Sequence, residues 1–270
     1  MEHNNANVEW HPSLADPTGR RLAKPRTGGR TMVIDKGLGL RAFEDMVRAA
    51  APHIDIVKLG FGTSALYPPE LLRRKTEAAT EAGILVMPGG TFLEVAVTKG
   101  LVDTFLTTAK QVGFTAVEVS DGTIEMSRDQ RSALIVKAIE AGFTVVTEYG
   151  KKLFGSSIET EELARTVEID TALGAAFVTI EARESGKGVG IFDENGDCKA
   201  DDVEAVMNCV PDRESLMWEA PLKSQQADLL QVLGPNVNIG NVAPEDVLSL
   251  EALRRGLRSD TFHLGAQARV

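Results

Sequence analysis

The stretch GFTVVTEYGKK, residues 142–152, decides how the rest of the chain is read. A glycine leads into a β-branched run, the run ends on Glu148, and Gly150, Lys151 and Lys152 follow. That pattern is a short buried strand with ionisable groups at its C-terminal end. The unit VGFTAVEVSDG at 112–122 resembles AGFTVVTEYG at 141–150 in detail. Working outward, the same signal predicts strands at MVID (32–35), DIVKLG (55–60), ILVMP (84–88), AVEVS (116–120), TVVTE (144–148), FVTIE (177–181), LMWE (216–219) and NVNIG (236–240). Helical patterns separate them, such as PPELLRRKTEAATEAG and SRDQRSALIVKAIEAG; in the second, Ser127 and Gln130 are spaced as a capping box. Gly83, Gly113, Gly142 and Gly174 each stand between a helix and the next strand, where a left-handed residue is expected. Strand and helix alternating eight times over roughly 230 residues predict an α/β fold, a single-domain (β/α)8 TIM barrel. An open doubly wound sheet is the alternative, which eight regular units disfavour. The G-x-G of DKGLGLRAF lacks the third glycine of a dinucleotide fingerprint.

Residues 31–262 carry the barrel pattern. Residues 1–30 read as a polar tail, disordered or wrapped on the surface, and 263–270 as a C-terminal tail. The chain has 270 residues, 43% of them hydrophobic, and a net charge of −10, which argues against a nucleic-acid or anionic-membrane surface. No apolar run reaches the ~18 residues of a membrane span, and the N-terminus lacks a signal-peptide core. Two cysteines, Cys198 and Cys209, make no disulfide framework or structural zinc site. A reducing cytoplasm is the expected setting.

In such a barrel the active site lies at the C-terminal strand ends. Those ends carry Asp35-Lys36, Lys58, Gly89-Gly90-Thr91, Glu118 with Asp121, Glu148 with Lys151-Lys152, Glu181 with Arg183-Glu184, Glu219, and Asn238 with Asn241. Any one of these is as readily a solvated strand end. Converging on one rim, so many like charges need a compensating ion or ligand. His3, His11, His53 and His263 all lie away from the strand ends, which argues against a histidine triad or a histidine-liganded metal. A metal here would be hard and oxygen-liganded, Mg2+ or Mn2+, with Glu118, Glu148 and Glu181 as ligands and Asp35 and Asp121 in reserve. Lys36, Lys58, Lys151, Lys152, Arg183 and Lys187 are available to hold an anion. The loops after the seventh and eighth strands open helices suited to phosphate, which points to Lys223, Gly240 and Asn241. Gly186, Gly188 and Gly190 form either an anion cradle or a flexible turn.

The motifs DKGL (35–38), VKLGFGTSA (57–65), PGGT (88–91), VEVSDG (117–122), TEYGKK (147–152), EARESGKGVGIFD (181–193), EAPLKSQQ (219–226), NVNIGN (236–241) and SLEALRRGLRSDTF (249–262) resemble, in order, those of phosphosulfolactate synthases. The chain departs from the family at Phe61, where tryptophan is common, and at Met87, where tyrosine is. The resemblance implies a Mg2+-dependent lyase that adds sulfite to the double bond of phosphoenolpyruvate and gives (2R)-phosphosulfolactate, for coenzyme M or sulfolactate formation. It also implies a homo-oligomer. Carried onto EYGKK, it makes Lys152 the general acid at C2, with Lys151 binding an anion beside it and lowering its pKa. Two rival readings are a Schiff-base aldolase and a non-catalytic protective protein, since relatives of the family occur as plant heat-tolerance proteins. The many charged strand ends speak against the latter.

Overall fold

Alternation along each strand sorts its side chains to two faces, and in this chain both faces are buried. The computed structural model describes residues 9–153 and 155–266. The strands are β1 (Thr31–Asp35), β2 (Ile56–Leu59), β3 (Leu85–Pro88), β4 (Ala116–Val119), β5 (Thr144–Tyr149), β6 (Val178–Ile180), β7 (Leu216–Glu219) and β8 (Ile239–Val242). On the inner face, Met32, Ile56, Met87, Ala116, Val146, Phe177 and Met217 form one buried cluster. On the outer face, Val33, Val57, Val86, Val117, Val145 and Val178 pack with the helices in a second, larger cluster. β8 gives Gly240 to the interior, where a Cβ would stand 2.8 Å from Met32 Cε and 3.3 Å from Met217 Sδ.

The eight strands are parallel, in the order β3-β2-β1-β8-β7-β6-β5-β4. The ends β3 and β4 meet through Thr115, whose N–H donates to Val86 O (3.0 Å) and whose Oγ1 accepts from Val86 N (2.9 Å). The sheet is thus a nearly closed (β/α)8 barrel. Seven of the strands lie within a residue or so of their expected spans. β8 runs three residues later at its start, Ile239–Val242, because Asn238 is engaged in capping Leu216 O and Glu214 O.

Helices α1 (Pro12–Ala15), α2 (Leu40–Ala50), α3 (Pro69–Glu81), α4 (Gly90–Thr98), α5 (Val102–Val112), α6 (Arg128–Glu140), α7 (Thr160–Ala172), α8 (Ala200–Cys209), α9 (Lys223–Leu233), α10 (Val247–Arg254) and α11 (Phe262–Ala266) complete the order. Leu134, Ile135 and Ala138 put one face of α6 on the barrel, and Ser127 with Gln130 caps it as a capping box. Such a cap contributes about 1 kcal/mol. Gly83, Gly113, Gly142 and Gly174 all take positive φ, which no β-carbon-bearing residue adopts cheaply.

Within the described part of the N-terminal segment, Arg21 pairs with Glu251 (3.0 Å) and Arg26 with Asp55 (3.1 Å), while Arg30 N–H donates to Asn238 Oδ1 (2.9 Å). Asp55 and Asn238 stand just before β2 and β8, and Glu251 lies in α10, so the segment crosses the N-terminal end of the barrel. At the other end of the chain, α11 continues past residue 262. No helix among the described residues is long and apolar enough to cross a membrane.

Candidate active site

The inward parity of each strand selects what reaches the C-terminal mouth. Two residues on from Ile56, Ala116, Val146 and Met217 stand Lys58, Glu118, Glu148 and Glu219, and Glu181 lies four on from Phe177. All five are buried, at 2–4% exposure. With Lys152, Thr91, Arg183 and Asn241 they line a cavity of about 320 Å³. Phe61 stands at its rim, whereas Met87 lies below it in the barrel interior.

Lys58 is the hub of the floor. Its ammonium donates to Glu219 Oε1 (2.8 Å) and Glu118 Oε1 (3.1 Å) and lies 3.8 Å from Glu148 Oε2. Burial opposes its charge, but Glu118, Glu219 and Glu148 outweigh burial and hold its pKa well above the usual lysine value. Glu118 also accepts the Gly90 N–H at 2.7 Å, and Glu219 accepts the Ala182 N–H at 3.1 Å. Burial raises the pKa of Glu118.

Lys152 enters from the side. Its Nζ lies 3.0 Å from Glu148 Oε1, 3.4 Å from Glu181 Oε2 and 3.3 Å from Thr91 Oγ1. Burial works against its charge, yet Glu148 and Glu181 prevail and raise its pKa. Burial would also raise Glu148, but Lys152 and Lys58 bring it down to about 2. Glu181 goes the other way, to about 11, because burial and the charges of Glu148 and Glu219 oppose its ionisation. One carboxyl of the pair is ionised and the other keeps its proton, as expected for two carboxyls sharing a dry site.

One oxygen each from Glu148, Glu181 and Glu219 lie within 4.8 Å of one another. Glu148 Oε1, Glu181 Oε2 and Asn241 Oδ1 are buried without a hydrogen-bond partner, the two lysine contacts being off the hydrogen-bond direction. The mouth holds four buried glutamates against two lysines. An oxygen-only donor set with orphaned carboxylate oxygens fits Mg2+ or Mn2+.

Backbone strain marks the same place. Phe61, Arg183 and Asn241 are the three non-glycine residues of positive φ among the described residues, at 58°, 60° and 55°, and all three line the cavity. Such conformations cost about 1–3 kcal/mol each and persist where surroundings impose them.

Several sequence candidates fall elsewhere. Asp35 sits one residue beyond inward-facing Ile34 and so points outward, where it binds Lys75 Nζ and accepts the N–H groups of Gly37 (2.9 Å) and Leu38 (2.7 Å). It shapes the turn after β1 and lies outside the cavity and the glutamate trio. Glu118 and Glu219 both bond Lys58 and a backbone N–H, but it is Glu219 that has an oxygen within 4.8 Å of those of Glu148 and Glu181, and so it is the third carboxylate of the trio. Glu219 was legible as a strand end but absent from the ligands named from sequence. Lys58 is buried, and its ammonium faces Glu118, Glu219 and Glu148 at the floor of the cavity. Lys36 forms a half-exposed rim pair with Glu184 at 3.6 Å. Lys223 pairs with Asp260 at 2.6 Å outside the cavity, and Gly240 makes room for Met32 and Met217. Lys151 turns away from the mouth altogether and does not lower the pKa of Lys152. In the loop after β6 the Gly188 and Gly190 N–H groups are bonded to Asp193 O and Ser156 O. Arg183 and Asn241 do line the cavity. The N-terminal turn of α4, at Gly90 and Thr91, is a further lining element that the loops after β7 and β8 had displaced in the sequence reading.

A family model described as (2R)-phospho-3-sulfolactate synthase (ComA) matches residues 19–260, so the match begins inside the segment read as a tail. The chain is 41% identical over 236 residues to a phosphosulfolactate synthase of Methanocaldococcus jannaschii, covering 87% of this chain and 94% of that one. It is 37% identical to the phosphosulfolactate synthases of Methanothermobacter thermautotrophicus (91% of this chain, 95% of that) and Bacillus subtilis (90% and 96%). Among solved structures it resembles the carboxyl transferase domain of Rhizobium etli pyruvate carboxylase with oxalate, at TM-score 0.57 and 10% identity over 92% of this chain and 47% of that one. A monomeric dihydrodipicolinate synthase variant aligns at TM-score 0.56 and 14% identity over 90% and 79%. At those identities the likeness is one of fold alone.

Proposed function

The chain belongs to the phosphosulfolactate synthase family, and from that premise we propose that it joins sulfite to phosphoenolpyruvate at the mouth of its barrel. The observation that carries the reading is the cluster of four buried glutamates with buried Lys58 and half-buried Lys152, in which carboxylate oxygens are left unbonded. The sulfur lone pair of sulfite forms the C–S bond at C3, the C2–C3 π electrons move toward the carboxylate, and a proton at C2 completes phosphosulfolactate.

Glu148, Glu181 and Glu219 would hold the divalent cation, with Asn241 Oδ1 beside them. When bound, Mg2+ supplies positive charge against the carboxylate on which sulfite addition builds negative charge. Lys152 delivers the proton to C2. Its carboxylate neighbours keep it charged, so it enters in the proton-bearing form a general acid needs. No lowered pKa is required, because a carbanion next to a carboxylate is a far stronger base than an amine. Arg183, exposed at the rim, and Thr91 in the N-terminal turn of α4 receive the anionic ends of the substrates, in place of the loops after β7 and β8. Lys58 keeps Glu118 and Glu219 in place.

The Schiff-base alternative loses ground on the same geometry. Iminium formation needs a neutral amine, and both mouth lysines face carboxylates that keep them charged.

The test is incubation of the purified protein with phosphoenolpyruvate, sulfite and Mg2+, followed by mass spectrometry. Phosphosulfolactate that disappears with EDTA and returns with added Mg2+ is the expected result. Folded protein that yields none refutes the reading.

A further inference from the structure

Lys151 and Lys152 are adjacent in sequence and point to opposite sides of the β5 loop. The Lys151 ammonium donates to the backbone carbonyls of Asp121 (2.9 Å) and Ile124 (3.0 Å) and lies 3.3 Å from Glu125 Oε1. Those acceptors belong to the loop between β4 and α6, and an ammonium has only three protons to give. On the mouth side of that loop Gly122 receives Lys152. Its carbonyl accepts the Lys152 N–H at 3.1 Å, and a Cβ placed on Gly122 would stand 3.1 Å from both Cγ and Cε of Lys152. The loop is anchored on its other flank by buried Glu94 of α4, which accepts from Ser120 Oγ (2.5 Å) and Thr123 N (3.0 Å). From behind, Arg131 of α6 donates to Asp121 Oδ1 (3.2 Å), to the Glu148 carbonyl (3.0 Å) and to Asp170 (2.7 Å).

We propose that Lys151 is a positioning residue: it staples the β4–α6 loop to the β5 loop, and through Gly122 it fixes the Lys152 ammonium between Glu148 and Glu181. A lysine stem has four rotatable bonds, and contact along its length adds to the ion pairs at its tip in confining the ammonium to one place. Gly122 provides that contact, and Lys151 holds Gly122 there. The inference rests on the proposed reaction for its kinetic consequence and on geometry alone for the rest.

Three variants test it: Lys151→Met, Lys151→Arg and Gly122→Ala. A displacement of the proton donor by about 1 Å costs on the order of 10²-fold in rate. Lys151→Met is therefore expected to lose kcat on that scale, with KM for phosphoenolpyruvate and sulfite within about twofold. Lys151→Arg, which can still donate to two carbonyls, recovers most of it. Gly122→Ala, which pushes on Lys152 from the other side and leaves Lys151 intact, loses kcat in the same way. An unchanged kcat in Lys151→Met, or a raised KM with kcat spared, overturns the proposal; the second outcome would make Lys151 an anion-binding group. A second readout needs no turnover: the rate at which acetic anhydride acylates Lys152, mapped by peptide mass spectrometry. It rises severalfold in Lys151→Met if the staple confines Lys152, and an unchanged rate overturns the proposal. If the wild-type protein forms no phosphosulfolactate while acylation rises, the reaction falls and the staple stands.

Discussion

Replacing Lys58 with methionine keeps the bulk of the side chain and removes the charge that serves three glutamates. In the wild type its ammonium is 2.8 Å from Glu219, 3.1 Å from Glu118 and 3.8 Å from Glu148, with all four groups at 4% exposure or less. Breaking a buried pair by removing one partner costs about 3–5 kcal/mol, because the remaining charge stays desolvated. For a chain of this size each kcal/mol moves the melting temperature by about 2–4 °C, so the variant is expected to melt roughly 6–20 °C lower at pH 7.5. Glu118, whose pKa burial already raises, then loses the lysine charge that opposes that rise. Stability tied to a group with a raised folded pKa is present below the unfolded value and lost as pH rises through the folded one. The melting deficit should therefore be smaller at pH 5 than at pH 7.5, measured by circular dichroism or differential scanning calorimetry. A deficit under 2 °C at pH 7.5, or one that is equal at both pH values, would refute the counter-ion role. A raised KM for phosphoenolpyruvate with unchanged melting would restore Lys58 as a phosphate ligand.

Three further outcomes follow from the same geometry. Asp35→Asn should destabilise the fold by roughly 3 kcal/mol through the loss of the buried Lys75 pair, as read by urea unfolding, with Mn2+ affinity unchanged. Lys152→Ala should lower kcat by about 10²–10⁴-fold, the usual contribution of a general acid, with circular dichroism like that of the wild type. Glu148, with its pKa depressed to about 2 from 4.5, contributes stability that is present above the unfolded value and lost as pH falls toward 2. Glu148→Gln should flatten that part of an acid-unfolding curve.

The barrel was legible because each strand is a β-branched run and each helix end before a strand carries a glycine, at Gly83, Gly113, Gly142 and Gly174, that takes the left-handed conformation. Direction was not legible. In a parallel barrel both strand faces are buried, so the alternation that distinguishes core from solvent in an antiparallel sheet gives no signal. Asp35 and Glu219 are both carboxylates ending a strand, and one residue of phase puts the first against Lys75 and the second in the mouth. The same phase separates Lys151 from Lys152. Lys58 was visible as a strand-end cation, but its partners come from β4, β5 and β7, far apart in sequence. Asn241 was found through its place after the eighth strand, although the strain at φ 55° and the orphaned Oδ1 that aim it at the site exist only in three dimensions.

The proposed chemistry requires that the glutamate trio take a divalent cation. Mn2+ titrated into the purified protein and followed by electron paramagnetic resonance counts bound ions without needing turnover. The geometry predicts one Mn2+ per chain, displaced by Mg2+, with affinity falling at least tenfold in Glu219→Gln and unchanged in Asp35→Asn. No stoichiometric binding, or equal loss in both variants, would contradict it.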